Sequence, residues 1–304
     1  MEKEKILKEV LAGLMNRYSA RVPDVRAIIH DMIVEGIIKK EEDIVNDHIA
    51  FRTLGVKSLG IKSLEKIFLY YGYKRCDEYY FAKKKLKAYW YSPPSLSYPR
   101  IFISELLVDK LSEKAQDIIR SYSDEVNSDP VDSLDLNDSK AVDSFLHSPL
   151  WRAPLWQDYQ TLLAESEYAS WVIYNRYYLN HFTLTIHDLP EGYNTIESFN
   201  KFLEKHGYHL NSVGGKIKIS CDKKLLQSST VAQMILATFA ENETHKISGS
   251  YVEFAERRVL DKYADLPQEE IQPKHRRDGF ETSNADAIFE STYTTQTNKK
   301  SGHH

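Results

Sequence analysis

A chain of 304 residues that is 42% hydrophobic and 12% aromatic carries enough apolar surface to bury one large core or two fused smaller ones, which excludes a disordered protein. Its formal charge of −4 comes from Lys and Arg scattered among acids, so there is no basic field for nucleic acid or an anionic membrane, and neither is expected as a partner. Cys76 and Cys221 are too few for a disulfide framework and lack C-x-x-C spacing, which predicts reduced thiols.

From the N-terminus, Ile6, Leu7, Val10, Leu11, Leu14 and Met15 recur at helical spacing, and no later segment approaches membrane-spanning length; a cytoplasmic chain is expected. Residues 1–45 read as a helical cap, broken at Arg21-Val22-Pro23-Asp24, where Pro23 is placed to open the second helix. Residues 46–122 then read as a β-α-β-β-β module. It has a strand at His48–Leu54, a helix at Ser63–Tyr71 stopped by Gly72, and strands near Tyr79–Phe81, Lys87–Tyr91 and Arg100–Leu107. An acidic, Ser-rich stretch and a Trp- and Tyr-rich helical stretch make 123–179 a connector. Residues 180–258 repeat the module: strand Asn180–His187, helix Ile196–His206 stopped by Gly207, and strands near Lys216–Ser220, Val231–Ala240 and Gly249–Ala255. Tyr71-Gly72-Tyr73 and His206-Gly207-Tyr208 end the two helices at matching places. Residues 259–304 form a tail with a short helix from Asn284, a candidate lid, and Ser301-Gly302-His303-His304 reads as a tag remnant. The fold class is therefore α+β, two fused modules with a helical cap and a helical insertion.

Each module offers an imidazole and a carboxylate: His48 with Glu105, and His181 with Glu253. Two His plus one carboxylate is the ligand set of a non-haem iron(II) oxygenase. Side chains alternate across a strand, so His48, Ala50 and Arg52 share a face, as do His181 and Thr183, and Tyr251 and Glu253. An isolated His is more often an ordinary hydrogen-bonded sheet residue. Repetition weighs against that here, as does a Glu set among Ile103, Ser104, Leu106 and Leu107. Arg52 lies four residues along the same face from His48, roughly 13 Å of strand. Its ordinary reading is a surface ion-pair residue.

The strings NDHIAFRTLG (46–55), SYPRIFISELLVDKLS (97–112), NHFTLTIHDL (180–189), QSSTVAQMI with SGSYVEFAERR (227–258) and RDGFETSNADAIFEST (277–292) resemble the 2-oxoadipate dioxygenase/decarboxylase family, of the wider vicinal-oxygen-chelate architecture. The resemblance implies an Fe(II) enzyme that converts 2-oxoadipate and O2 to 2-hydroxyglutarate and CO2 in lysine catabolism. It implies His48, His181 and Glu253 as metal ligands, Arg52 as the catalytic and substrate-binding cation, and Ser283 and Asn284 as further substrate contacts. Repeat symmetry makes Glu105 the counterpart of Glu253, expected behind the ligands or as one wall of the site. If Glu105 ligated directly, the alternative would be an oxygen-independent lyase or isomerase resembling glyoxalase I; a non-catalytic small-molecule-binding protein is the third class. A monomer or homodimer is expected.

Overall fold

The computed structural model describes residues 2–301, so Gly302-His303-His304 of the expected tag remnant lie outside the described residues. Helices α1 (Glu2–Arg21) and α2 (Pro23–Val34) form the cap, with Pro23 at the first position of α2, where its missing N–H costs no intrahelical bond. The first module follows as β1 (Asn46–Leu54), α3 (Ile61–Tyr70), β2 (Lys74–Phe81), β3 (Leu86–Ser92) and β4 (Arg100–Leu106). The connector holds α4 (Glu113–Ser123), α5 (Ser139–His147), α6 (Trp156–Glu165) and α7 (Glu167–Asn175). The second module is β5 (His181–Thr185), α8 (Ile196–Lys205), β6 (Lys218–Ile219), β7 (Leu225–Ser229) and β10 (Tyr251–Arg257), with β8 (Met234–Thr238) and β9 (Thr244–Ser248) inserted before its last strand. The tail carries α9 (Thr282–Phe289) and α10 (Thr294–Ser301).

Eight strands form one mixed sheet in the order β2-β3-β4-β1-β5-β10-β7-β6. Each module pairs its first and last strands in parallel, β1 with β4 and β5 with β10, and the modules join by antiparallel pairing of β1 with β5. The first strands of both copies therefore meet at the centre of the sheet, which brings their histidines together. The register fixes which residues correspond. His48 pairs with Arg100 and His181 with Tyr251, so aligning the histidines aligns Arg100 with Tyr251. Two residues on, Phe102 matches Glu253; five residues on, Glu105 matches Glu256.

That last match corrects the expected pairing of Glu105 with Glu253. Glu105 sits three residues beyond Phe102 on β4, so alternation turns it to the opposite face of the sheet from the site. There Glu105 Oε2 accepts from the Ile61 amide at 2.7 Å, at the start of α3, and Lys87 Nζ lies 3.1 Å from Oε1. Glu256 does the same in the second module, accepting from the Ile196 amide at the start of α8 at 2.8 Å. An anion on the free N–H groups of a helix start is favourable twice, through the hydrogen bond and through the helix dipole. Gly60 is required beside it: its φ is +83°, and a Cβ there would collide with the Glu105 carboxylate.

The expected strand over Val231–Ala240 is not part of the module. Met234–Thr238 pairs instead with Thr244–Ser248 as a separate ribbon packed on the connector, where Trp156 stacks on His245 with centroids 3.8 Å apart. The module's strand is Leu225–Ser229, which was not among the expected strands and whose polar Gln227, Ser228 and Ser229 are buried. β2 also begins earlier than expected, because KRCDEYYF is an edge strand and its charged side chains face solvent.

Candidate metal centre

His48, Glu253 and His181 project from β1, β10 and β5 onto one face of the sheet centre, and all three are buried. Their donor atoms lie within 4.8 Å of one another. His181 Nε2 is 3.1 Å from Glu253 Oε2, His48 Nε2 is 3.5 Å from Oε1, and the two Nε2 atoms are 3.4 Å apart. Donors bound at about 2.1 Å to one ion stand about 3.0–3.4 Å from one another at neighbouring positions, so the three residues fit a single divalent cation with coordination positions left open on one side.

The ring orientation is imposed from behind. His48 Nδ1–H donates to Asp47 Oδ2 at 2.8 Å, and His181 Nδ1–H donates to Asn180 Oδ1 at 3.0 Å, so each Nε2 lone pair faces inward. Asp47 is itself gripped by Arg257, with Nε 2.6 Å from Oδ1 and Nη2 2.9 Å from Oδ2. Burial alone would push the Asp47 carboxyl up, but Arg257, then Arg100 and His48, hold it well below the usual carboxylate range. Burial works against charge on His48, yet Glu253 and then Asp47 outweigh it and move its pKa up. His181 moves the other way: burial first, then His48 and Arg52, push it well below the ordinary imidazole value. On Glu253, Gln227 Nε2 donates to Oε1 at 2.6 Å.

Arg52 lines the same cavity with Phe102, Tyr251, Phe280, Ile288 and Phe289. Its guanidinium is buried, with Nη1 donating to Thr292 Oγ1 and Nη2 to the Phe289 carbonyl, both at 3.0 Å, and it is flanked by the rings of Tyr168 and Trp171 at 5.1 Å. Its Nε makes no hydrogen bond, nor does the buried Tyr251 hydroxyl, and Arg52 forms no ion pair among the described residues. A buried cation facing neutral groups is costly, and an anion entering this cavity would relieve that cost.

The remaining expected residues are placed differently. Ser283 is exposed on α9. Asn284 is buried but does not line the cavity; its Nδ2 donates to Gln227 Oε1 at 3.0 Å. Nor does it cap α9: Glu281 precedes that helix and Asn284 lies within it. The tail does cover the cavity, with Phe280 packed edge-on to His48 at 4.7 Å. Sequence reasoning missed Asp47, Asn180, Gln227 and Arg257. The first two had a signal, since Asp-His and Asn-His open corresponding strands; the other two reach the site only through long-range pairing.

A two-module sheet with paired first strands and a His, His, Glu set at their junction has the vicinal-oxygen-chelate fold and carries a candidate metal site. The model of the family described as 2-oxoadipate dioxygenase/decarboxylase matches residues 10–273. The chain is 42% identical over 310 residues to the chloroplastic 2-oxoadipate dioxygenase/decarboxylase of Arabidopsis thaliana, covering 98% of this chain and 81% of the relative. The crystal structure of the hydroxyglutarate synthase from Oryza sativa in complex with 2-oxoadipate superposes with a TM-score of 0.89 at 42% identity, over 97% of this chain and 95% of that one. A glyoxalase superfamily protein from Ralstonia eutropha shares the fold, with a TM-score of 0.70 at 19% identity, over 88% and 86% of the chains. The chain belongs to the 2-oxoadipate dioxygenase/decarboxylase family, a family of enzymes. No helix among the described residues is long and apolar enough to cross a membrane, and the Arabidopsis relative is named as chloroplastic.

Proposed function

We propose that the chain is an Fe(II)-dependent enzyme that converts 2-oxoadipate and O2 to 2-hydroxyglutarate and CO2, a step of lysine catabolism. The observation that carries this reading is the enclosure of a three-donor metal set and an unpaired buried guanidinium, Arg52, in one small cavity. His48, His181 and Glu253 would hold the ion, whose chemistry when bound is chelation of a 2-oxo acid and activation of O2. Arg52 would bind the far carboxylate. Its fork supplies paired N–H donors at fixed spacing, and that placement leaves the 2-oxo end toward the histidines. Phe102, Phe280 and Phe289 wall the cavity and would exclude water while the substrate loses its carboxyl group. Docking of the tail over the cavity supports a lid role for residues 279–292. Arg52 would serve the reaction by binding and orienting, without proton transfer.

Phe102 stands where a second carboxylate would complete a four-ligand, glyoxalase-like site, and this argues against the oxygen-independent reading. The test is oxygen uptake by the Fe(II)-loaded protein with 2-oxoadipate and with a monocarboxylic 2-oxo acid of similar length. Uptake coupled to CO2 release and strongest with the diacid is expected. Turnover without O2, supported equally by Zn(II) or Ni(II), would replace this reading with the isomerase one.

A further inference from the structure

Helix α9 turns Asn284 away from the cavity and against β6 and β7. Its Nδ2 donates to Gln227 Oε1 at 3.0 Å and lies 3.3 Å from the carbonyl oxygens of Lys218 and Leu225. Gln227 Nε2 in turn donates to Glu253 Oε1 at 2.6 Å, and all three side chains are buried. An ionised carboxylate only accepts hydrogen bonds, whereas a glutamine amide has one donating and one accepting end. The donor on Asn284 therefore holds Gln227 in the one orientation that presents its amino group to Glu253. We infer that Asn284 is a positioning residue of the metal centre, holding the Glu253 carboxylate toward His48 and His181 through Gln227.

The inference rests on the metal reading above and extends it: the tail builds the metal centre as well as covering it. A second tail contact supports this on the other ligand. Arg257, which fixes Asp47 and through it His48, donates from Nη1 to the Gly279 carbonyl at 2.7 Å and to the Arg277 carbonyl at 3.1 Å. Two of the three ligands, one from each module, are thus braced by groups that the tail also holds. His181, braced by Asn180, has no such link.

The substitution that separates positioning from packing is Asn284→Asp, close in size but reversed in hydrogen-bonding sense. The new carboxylate can only accept, so Gln227 must turn its amino group to it and present its oxygen to Glu253. Asn284→Ala merely frees Gln227. Metal-free protein is titrated with Co(II) and followed by visible absorbance, with thermal melting of the metal-free form measured alongside. We expect Co(II) affinity to fall about 10-fold in N284A and about 100-fold in N284D, the range seen when groups behind metal ligands are altered. In a Gln227→Met background the two Asn284 variants should bind Co(II) equally. An N284D loss of the same factor with and without Q227M would overturn the inference, as would unchanged affinity with a lowered melting temperature. A parent chain that binds no Co(II) would instead remove the metal reading, and this inference with it.

Discussion

The first module carries Asp47 before its histidine and the second carries Asn180; on the last strand the first carries Phe102 and the second Glu253; on the first strand, four residues after each histidine, the first carries Arg52 and the second Thr185. Much of the framework is shared. Each puts a His on its central strand, each starts its helix on a Glu from the last strand, and each ends that helix at a glycine with positive φ, Gly72 and Gly207. The shared features build the scaffold, and the differing ones build the site. One copy supplies the carboxylate of the candidate metal set and the other supplies a buried cation, so a pseudo-symmetric sheet encloses a cavity with two chemically distinct ends. The same asymmetry runs behind the ligands, where His48 is backed by a charged Asp–Arg pair and His181 by a neutral amide.

Restoring symmetry at the last strand should have the largest effect. Phe102→Glu would place a second carboxylate, and so a fourth candidate ligand, at the cavity. The metal-free protein should lose about 3–5 kcal/mol of stability from an unpaired buried charge. Zn(II) binding should tighten, and oxygen uptake with Fe(II) should be abolished. Oxygen uptake at the parent rate would mean that Phe102 and Glu253 do not occupy equivalent places around the metal. Copying the second module into the first with Asp47→Asn should weaken Co(II) binding about 10–100-fold, through a less firmly held His48. It should also cost about 3–5 kcal/mol in urea unfolding, because Arg257 is left buried without its anion. If D47N leaves both unchanged, the asymmetry behind the histidines carries no function.

Removing the cation with Arg52→Ala should lower kcat/KM for 2-oxoadipate by about 2–4 kcal/mol, leave metal content unchanged and affect a monocarboxylic 2-oxo acid far less. Equal losses on both substrates would refute its role at the distal carboxylate. The smallest effects belong to the shared scaffold. Glu105→Gln and Glu256→Gln should each cost about 0.5–2 kcal/mol of stability, similar in the two modules and without effect on Co(II) affinity. A drop in affinity for E105Q alone would restore Glu105 to the metal site.

Much of this arrangement is legible in the sequence because it depends on local order. Alternation along NDHIAFR places His48 and Arg52 on one face, and the repeated strand-helix-Gly pattern reveals the two copies. What sequence reading lost depended on register. Glu105 is the sixth residue of β4 and Glu253 the third of β10, and only pairing with β1 and β5 shows that the two cannot correspond. Leu225–Ser229 was hidden for a related reason: burial on both faces of the strand removes apolar alternation, and its polar residues find partners in Glu253, Asn200 and Ser291 far along the chain. Asn284 was expected to open a capped helix and, from the family resemblance, to contact substrate; its burial against Gln227 becomes visible only once α9 lies on β7.

The central claim is that two diverged copies make one metal site to which each contributes an indispensable donor. Its most direct test is the amount of tightly bound Co(II) per chain in the parent, His48→Ala and His181→Ala proteins after identical loading and gel filtration. One ion per chain in the parent and none in either variant is the predicted result. A full ion retained by either variant, or two ions in the parent, would contradict it.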